Sequence, residues 1–212
     1  MSMSKDLIMA MEPIMNFIPT VIEKDGRGER AMDLKSHMLH NYTLFFFGEV
    51  NDIITERICS EILFLSQQDP SKEITIYINS HGGSLYDAIA IVDIMGRVSN
   101  TISTVVMGKA FSAGALIAAA GTKGRRIAMQ NSTIMLHQPS SGVKGTASDI
   151  QTAASEIVRM KELTNQMLTG FSTIEKELFL KKIEYDWWMS AEDAKSHGLI
   201  DIILPYNPSK TF

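Results

Sequence analysis

The fold is decided by residues 74–95, which read ITIYINSHGGSLYDAIAIVDIM. Residues 74–78 are β-branched or aromatic and predict a short strand. Gly82 and Gly83 follow as a turn, after which apolar residues recur at helical spacing, at Leu85, Ala88, Ile91, Val92 and Met95. A strand, a glycine turn and a helix in this order predict one β-α unit of a parallel sheet.

The same succession returns further along the chain. Residues 101–107 predict a second strand, and residues 112–120 predict a helix of small side chains. Further apolar runs predict short strands at residues 127–129, 133–136 and 199–204. This alternation is typical of an α/β fold built from repeated βαβ units around a largely parallel sheet.

Capping residues indicate where several helices begin. Asn51 or Asp52 can cap a helix whose apolar positions Ile54, Ile58 and Ile62 share one face. Residues 172–175 have the capping-box pattern, and residues 190–193 resemble it. We therefore expect a helix to begin in each of these three segments.

One predicted helix is long and lies outside the βαβ succession. It ends near Gly170, and its apolar positions are Ile150, Ala153, Ile157, Met160 and Met167. Such a helix either covers the sheet of its own chain or packs against another subunit, and the pattern leaves both possibilities open.

The composition limits the class of protein. Of the 212 residues, 45% are hydrophobic and 21% are charged, and the net charge is −4. This is the mix of a globular protein without the basic face that nucleic-acid binding requires. Cys59 is the only cysteine, which excludes an intrachain disulfide and a CxxC-type zinc site. No apolar run approaches the roughly 20 residues of a membrane-spanning helix, so we expect a cytoplasmic protein.

The amino-terminal residues 1–15 differ from the rest of the chain. They carry five of the 14 methionines and show no clear periodicity. Their apolar runs are too short for a secretory signal. We expect residues 1–15 to be a leader or propeptide and residues 16–212 to form one domain.

Three segments could carry chemistry, and each also has a simpler interpretation. Gly82 and Gly83 could let a substrate approach the backbone at a helix start, or could form only a tight turn. Ser112, in the segment AFSAG, resembles a nucleophile elbow but could merely cap the following helix. His137, at a strand end, could be a base or a histidine bonded to backbone. His81, beside the glycine turn, could touch substrate.

A serine needs a base to become a good nucleophile, and the base gains from a carboxylate that orients its ring. The pattern offers several acidic residues for that role and does not choose among them: Asp149, Glu156, Glu184, Asp186 and Asp193.

Several motifs together resemble those of the proteolytic subunit of the Clp protease, ClpP. The resemblance covers nearly the whole chain from about Phe17. HQP at residues 137–139 begins 25 residues after Ser112, and Asp186 follows 49 residues after the histidine. Further matching segments, in chain order, are residues 18–23, 26–30, 77–83, 188–191 and 198–201.

The resemblance implies a role for each candidate residue. Ser112 would be the nucleophile, His137 the general base and Asp186 the orienting carboxylate. The backbone N–H groups of Gly83 and Ala113 would form the oxyanion hole. No metal or cofactor is expected. The implied fold is ClpP/crotonase-like, with a protruding long-helix handle at about residues 140–170.

The resemblance also implies how the protein works with partners. Two stacked heptameric rings, a tetradecamer of identical or mixed ClpP-like subunits, would enclose a serine endopeptidase that degrades unfolded polypeptides. An extended substrate would lie between the glycine turn and a strand at residues 140–145. A separate AAA+ unfoldase of the ClpX, ClpA or ClpC type would use the ATP, because this chain has no Walker motif. No nucleic acid or membrane is expected as a partner.

The sequence departs from the family pattern at some positions. The pocket that receives the unfoldase keeps apolar or aromatic residues at Tyr77, Val105, Met107, Ile127, Met129 and Leu204. Thr75 and Arg97 stand where the pocket usually has aromatic residues, and Tyr185 replaces an arginine beside the catalytic aspartate. His81 replaces a proline, and Ala113 replaces a methionine. These changes bear on docking and ring pairing more than on the chemistry.

Two rival functions follow from the same motifs. A crotonase-type acyl-CoA enzyme also builds an oxyanion hole from a glycine turn, but it uses acid–base carboxylates near that turn and residues 79–84 contain none. A catalytically silent ring subunit typically lacks triad members, and this chain has all three.

Overall fold

The computed structural model of the protein describes residues 19–25, 28–140 and 142–206. The chain divides into two compact units, one ending at Asn41 and one beginning at Tyr42. The leader predicted at residues 1–15 lies outside the described residues, so its removal stays a prediction.

The smaller unit is a hairpin followed by a short helix. Strands β1 (Thr20–Asp25) and β2 (Gly28–Asp33) pair antiparallel, and helix α1 (Leu34–His40) follows directly. Asp33 begins this helix, because its carboxylate accepts a hydrogen bond of 3.0 Å from the backbone N–H of Ser36. The sequence patterns did not predict these elements.

The larger unit alternates strands and helices. In chain order its elements are β3 (Thr43–Val50), α2 (Asp52–Gln68), β4 (Ile74–Gly83), α3 (Leu85–Arg97), β5 (Ile102–Phe111), α4 (Ala113–Ala119), β6 (Arg126–Met129), β7 (Thr133–Leu136), α5 (Ala147–Phe171), α6 (Lys176–Lys182), β8 (Trp187–Ser190), α7 (Ala191–Ser196) and β9 (Ile202–Leu204). The predicted α/β class is confirmed.

Seven strands of this unit form one sheet in which only the pairing of β8 is antiparallel. The order is β3-β4-β5-β6-β9. Strand β5 is long enough to pair twice: residues 104–106 pair with β6, and residues 109–111 pair with β7. Strand β8 then pairs with β7. The sheet therefore branches at β5, and β7 and β8 form one of the branches. Two predicted site residues lie beside these strands: His137 directly follows β7, and Asp186 directly precedes β8.

Helices pack against one face of this sheet. On β4, Ile74, Ile76 and Ile78 are fully buried, whereas the residues between them are not. All seven residues of α4 are buried. A Cβ atom on Gly114 would come within 3.0 Å of the Cβ of Ser80, so the small residues of α4 let it lie directly on β4. This contact fixes the position of the residue where α4 begins.

Several sequence predictions agree with these elements. The strand at residues 133–136 has the predicted bounds, and the long helix α5 spans 25 residues. The carboxamide oxygen of Asn51 accepts a hydrogen bond of 3.0 Å from the N–H of Ile54, which confirms the cap of α2. The capping box at residues 190–193 is present at the start of α7.

Other predictions were wrong. Residues 172–175 do not form a capping box: the N–H of Ser172 bonds the carbonyl of Leu168 at the end of α5, and Glu175 precedes α6 without a side-chain cap. The described residues of 140–145 form no strand. The last strand begins at Ile202 rather than at residue 199, and strands β3 and β8 were not predicted.

Candidate active site

Ser112 lies on a sharp turn between β5 and α4. Its backbone has φ 53° and ψ −121°, a region that is costly for a residue with a side chain. Its N–H donates a hydrogen bond of 2.8 Å to the carbonyl of Met135 on β7, which ties the turn to that strand. Ser112 occupies the N-cap position of α4, but its side chain makes no capping hydrogen bond, so the simpler interpretation of its hydroxyl as a helix cap is wrong.

His137 follows β7 directly and reaches this turn. Its Nε2 lies 2.9 Å from the Oγ of Ser112. The position follows from strand pairing, because Phe111 of β5 is in register with Met135 of β7, two residues before the histidine. The serine and the imidazole are therefore held by neighbouring strands of the same sheet.

Asp186 is brought to the imidazole by the antiparallel pair β7–β8. Leu136 is in register with Trp187, so the next pair outward is His137 with Asp186. The Nδ1 of the histidine lies 3.3 Å from the Oδ1 of the aspartate. With Nδ1 donating to the carboxylate, Nε2 is left to accept the proton of the Ser112 hydroxyl.

The other acidic candidates are engaged elsewhere or make no contact with the histidine. Asp149 belongs to the capping box of α5, and Asp193 to that of α7. Glu156 bonds Tyr86 and Arg159. Among the described residues, Asp186 is the carboxylate that the structure places against His137.

The turn at Gly82 and Gly83 lies in close contact with the turn at Ser112. Gly82 has φ +92°, and a Cβ atom there would come within 2.8 Å of the Cβ of Ser112 and 2.7 Å of the carbonyl of Phe111. Gly83 has φ +150°, and its Cβ would come within 2.3 Å of the carbonyl of Val50 on β3. Both positions therefore require glycine, and the close approach brings the backbone of the turn beside Ser112.

Ala113 is the first residue of α4, so its N–H has no partner within the helix. A Cβ atom on Gly82 would lie 3.2 Å from that nitrogen. The two predicted oxyanion donors, Gly83 and Ala113, thus belong to backbone segments that meet next to the serine.

A cleft of about 380 Å³ opens beside the serine and the histidine. Helix α5 forms one wall of it with Ala153, Glu156, Ile157, Met160, Thr164, Asn165 and Leu168. The start of α3 also lines the cleft, together with Leu136, His137, Pro139, Ser140 and Val143. Ser140 and Val143, from the segment predicted to be a substrate-binding strand, thus border the cleft without belonging to a strand.

A hydrogen bond from Tyr86, at the start of α3, joins that helix to Glu156 of α5 at this wall. The hydroxyl of Tyr86 donates a hydrogen bond of 2.5 Å to Glu156, and Arg159 donates two more, of 2.7 and 2.8 Å. The bonds from Arg159, followed by the one from Tyr86, lower the pKa of Glu156 to about 2. The carboxylate is thus charged and occupied at neutral pH.

Three of the predicted docking residues, Tyr77, Val105 and Ile127, are in register on neighbouring strands, with Ile202 on the next strand. Of the others, Met129 pairs with Leu204, and Met107 lies two residues after Val105 on β5. Thr75 lies two residues from Tyr77 on the same face of β4. Arg97 is exposed at the end of α3, in the helical layer.

Sequence reasoning missed most residues of the α5 wall and the contacts of Gln138. The side chain of Gln138 accepts a hydrogen bond of 2.9 Å from Lys161 of α5. Its position next to His137 in the HQP motif was the one available signal. Tyr185, beside Asp186, is 80% exposed, and His81 is also exposed.

Two kinds of feature are absent from the residues that the structure describes. In that part of the chain, no cluster of histidine, cysteine and acidic residues could hold a metal ion. None of its helices combines the length and the apolar character needed to cross a bilayer.

The geometry can be compared with a known family at this point. The sequence model of the Clp protease family matches residues 26–207, a span that contains the serine turn, the histidine and the aspartate. The mostly parallel sheet and its helices agree with the fold of that family's peptidase subunits. The match covers most of the chain, and the protein therefore belongs to the Clp protease family of peptidases.

Proposed function

We propose that the protein is a serine endopeptidase that cleaves unfolded polypeptides. The observation that carries the proposal is the continuous chain of contacts from Ser112 Oγ to His137 Nε2 and from His137 Nδ1 to Asp186, at distances of 2.9 and 3.3 Å. This arrangement has the order and the geometry that nucleophilic catalysis by serine requires.

In this mechanism the Oγ of Ser112 forms a bond to the carbonyl carbon of the scissile peptide while His137 takes the hydroxyl proton. The tetrahedral intermediate collapses, the peptide C–N bond breaks, and His137 delivers the same proton to the leaving amine. Water then repeats the sequence on the acyl-enzyme and releases the carboxylic acid. Asp186 holds the imidazole in the tautomer that these transfers need and stabilises the imidazolium.

The developing oxyanion needs donors that are already in place. We assign this role to the N–H groups of Gly83 and Ala113, which belong to the glycine turn and to the first residue of α4 beside Ser112. Each such donor is typically worth about 3–4 kcal/mol of transition-state stabilisation. The substrate backbone would lie in the cleft between the glycine turn and the loop at Ser140, so that recognition depends little on sequence.

The proposal includes partners outside this chain. Copies of the chain, alone or with related subunits, would form two stacked heptameric rings in the cytoplasm. A separate AAA+ unfoldase would dock on the row that contains Tyr77 and would deliver unfolded substrates with ATP. Residues 1–15 would be removed by the active site itself. Tyr185, in place of an arginine beside Asp186, would weaken ring pairing because it cannot form a charge-assisted bidentate bond.

One experiment tests these points together. The full chain is treated with a fluorophosphonate probe, assayed for hydrolysis of a short peptide ester, and measured by native mass spectrometry. We expect one label per chain at Ser112, a particle of 14 chains, and loss of label, hydrolysis and leader removal in Ser112→Ala. Ser99→Ala, at an exposed turn, serves as the control and should match wild type.

Tyr185→Arg should increase the fraction of double rings at low salt.

Other outcomes would point elsewhere. Rings that bind no probe and hydrolyse no ester would indicate a silent structural subunit. Hydrolysis that survives in Ser112→Ala would remove this serine from the mechanism.

A further inference from the structure

A polar connection joins helix α5 to the chain segments that carry His137 and Asp186. The Nζ of Lys161 donates a hydrogen bond of 2.9 Å to the Oε1 of Gln138. The Nε2 of Gln138 donates in turn to the carbonyl of Glu184, at 3.5 Å. We refer to Lys161 and Gln138 as the strut.

The strut holds both segments close to the reacting groups. Gln138 directly follows His137, and its own N–H donates a hydrogen bond of 3.2 Å to the carbonyl of Ile183. Glu184 stands two residues before Asp186. Residues 183–186 lie between the end of α6 and the start of β8, outside any helix or strand body. These residues therefore depend on contacts of this kind for their position.

The contact between His137 and Asp186 is too exposed to fix that position alone. The two side chains are 29% and 54% exposed, and the atoms that face each other are 3.3 Å apart. Exposed ion pairs contribute little to holding a fixed geometry. The position of the carboxylate therefore also depends on the backbone that carries it. The pairing of β7 with β8 holds that backbone on one side of Asp186, and the bonds from Gln138 hold it on the other.

Helix α5 is suited to supply this support because it borders the cleft along several turns. On the side of the glycine turn it is bonded through Glu156 to Tyr86, three residues after Gly83. On the side of the histidine it is bonded through Lys161 to Gln138. The two sides of the cleft are thus attached to the same helix.

We propose that Gln138 and Lys161 are positioning residues for the catalytic pair. Lys161 orients the Gln138 carboxamide, and Gln138 holds residues 183–184 so that Asp186 stays opposite His137. Neither residue touches substrate or a reacting atom. The proposal rests on the proposed peptidase function, and it places the control of triad alignment in helix α5.

The test compares Lys161→Met, Lys161→Arg and Gln138→Ala in the full chain. Loss of an outer partner that orients a catalytic group typically costs about 10-fold or more in activity. We expect Lys161→Met and Gln138→Ala to lower kcat for ester hydrolysis about 10-fold, with KM changed less than about twofold because the substrate contacts remain. Lys161→Arg keeps a donor for Gln138 and should stay close to wild type. Lys123→Met, at an exposed turn, removes an equal charge as the matched control.

Hydrogen–deuterium exchange gives a second measurement that does not need activity. In Lys161→Met, amides of residues 183–189 should exchange faster, whereas those of α3 should not change. Wild-type kcat or wild-type exchange in that segment would overturn the positioning role. If the wild-type protein itself hydrolyses no ester, the proposed function fails, while the exchange data still decide whether the strut holds this segment.

Discussion

Two side-chain pairs, each containing an aspartate, lie at opposite edges of the sheet in the larger unit. His137 directly follows β7 and Asp186 directly precedes β8, and the two side chains meet next to the cleft. These side chains are 29% and 54% exposed. Arg126 and Asp201 meet where β6 and β9 begin, with only 4% and 17% exposed. The first pair has one contact of 3.3 Å, whereas the second is bidentate, with contacts of 2.8 and 2.5 Å.

The Arg126–Asp201 pair makes further hydrogen bonds to backbone groups. Asp201 also accepts hydrogen bonds from the N–H groups of Gly124 and Arg126, at 2.7 and 3.1 Å. Arg126 donates to the carbonyl of Phe171 and, at 3.5 Å, to that of Ala119. These carbonyls lie at the carboxyl ends of α5 and α4, where a cation is favourable. Arg126 therefore fastens the ends of both helices that border the site.

The two pairs differ in whether the proposed mechanism transfers a proton to and from one of their groups. In the proposed mechanism His137 accepts and returns a proton during each cycle, which requires access and a contact that can adjust. The guanidinium of Arg126 stays charged and is bound in a fixed planar geometry. We therefore expect mutations of the first pair to affect activity and mutations of the second to affect stability.

The largest effect should follow from Asp186→Asn. This change keeps the shape of the side chain but no longer fixes the imidazole tautomer, and in a comparable triad it lowers kcat by about 10⁴-fold. Because the side chain is half exposed, the free energy of unfolding should change by less than about 1 kcal/mol. Ester hydrolysis and urea denaturation measure the two quantities, with Glu192→Gln as an exposed acidic control. Activity within tenfold of wild type would show that Asp186 does not orient the base.

The second effect concerns stability, and two adjacent arginines provide the comparison. Arg126→Met leaves Asp201 buried without its cation and should cost about 3–5 kcal/mol of the free energy of unfolding. Arg125 forms a longer, exposed pair of 3.7 Å with Glu73, so Arg125→Met should cost about 1 kcal/mol or less. Urea denaturation measures both variants. Equal small losses would mean that the Arg126 pair does not fasten the helix ends.

The sequence alone could identify two of the three proposed catalytic residues as candidates. Ser112 and His137 stand out because each follows a strand and precedes a turn or a helix start. Asp186 could not be chosen from the pattern, since its position depends on the pairing of β8 with β7. Strand β8 has only four residues and shows no clear alternation. The resemblance to the Clp family named Asp186, and the register of β7 and β8 gives the physical reason.

Long-range contacts account for most of what the patterns missed. Nothing near Arg126 in the sequence indicates that it will bond Asp201, 75 residues away, and the end of α5. The capping-box pattern at residues 172–175 failed because Ser172 ends α5. Local propensity predicted many of the helices and strands but missed β1, β2, α1, β3 and β8. The partners of polar side chains depended on how the elements pack.

The smallest effect should appear in the acid dependence of stability. Burial raises the pKa of Asp201 and is the largest single influence, but the hydrogen bonds from the Arg126 side chain and from backbone N–H groups together leave the pKa below its ordinary value of 3.8. The folded protein therefore binds this proton only at lower pH than the unfolded chain does. The stabilisation is present above about pH 4 and is lost as the pH falls below that value.

The comparison uses wild type and Asp201→Asn, with urea denaturation at several pH values between 7 and 3. The variant should be less stable at pH 7, and its stability should fall less steeply below pH 4. One carboxylate can change the slope by at most about 1.4 kcal/mol per pH unit. Asp149→Asn is the exposed control: its pKa is also lowered, by hydrogen bonds from Thr146, but this carboxylate caps a helix and faces solvent. If wild type and Asp201→Asn lose stability with the same slope below pH 4, the buried pair does not contribute to acid sensitivity. A steeper loss in wild type than in Asp201→Asn, with Asp149→Asn closer to wild type, would support a contribution of the Arg126–Asp201 pair to acid sensitivity.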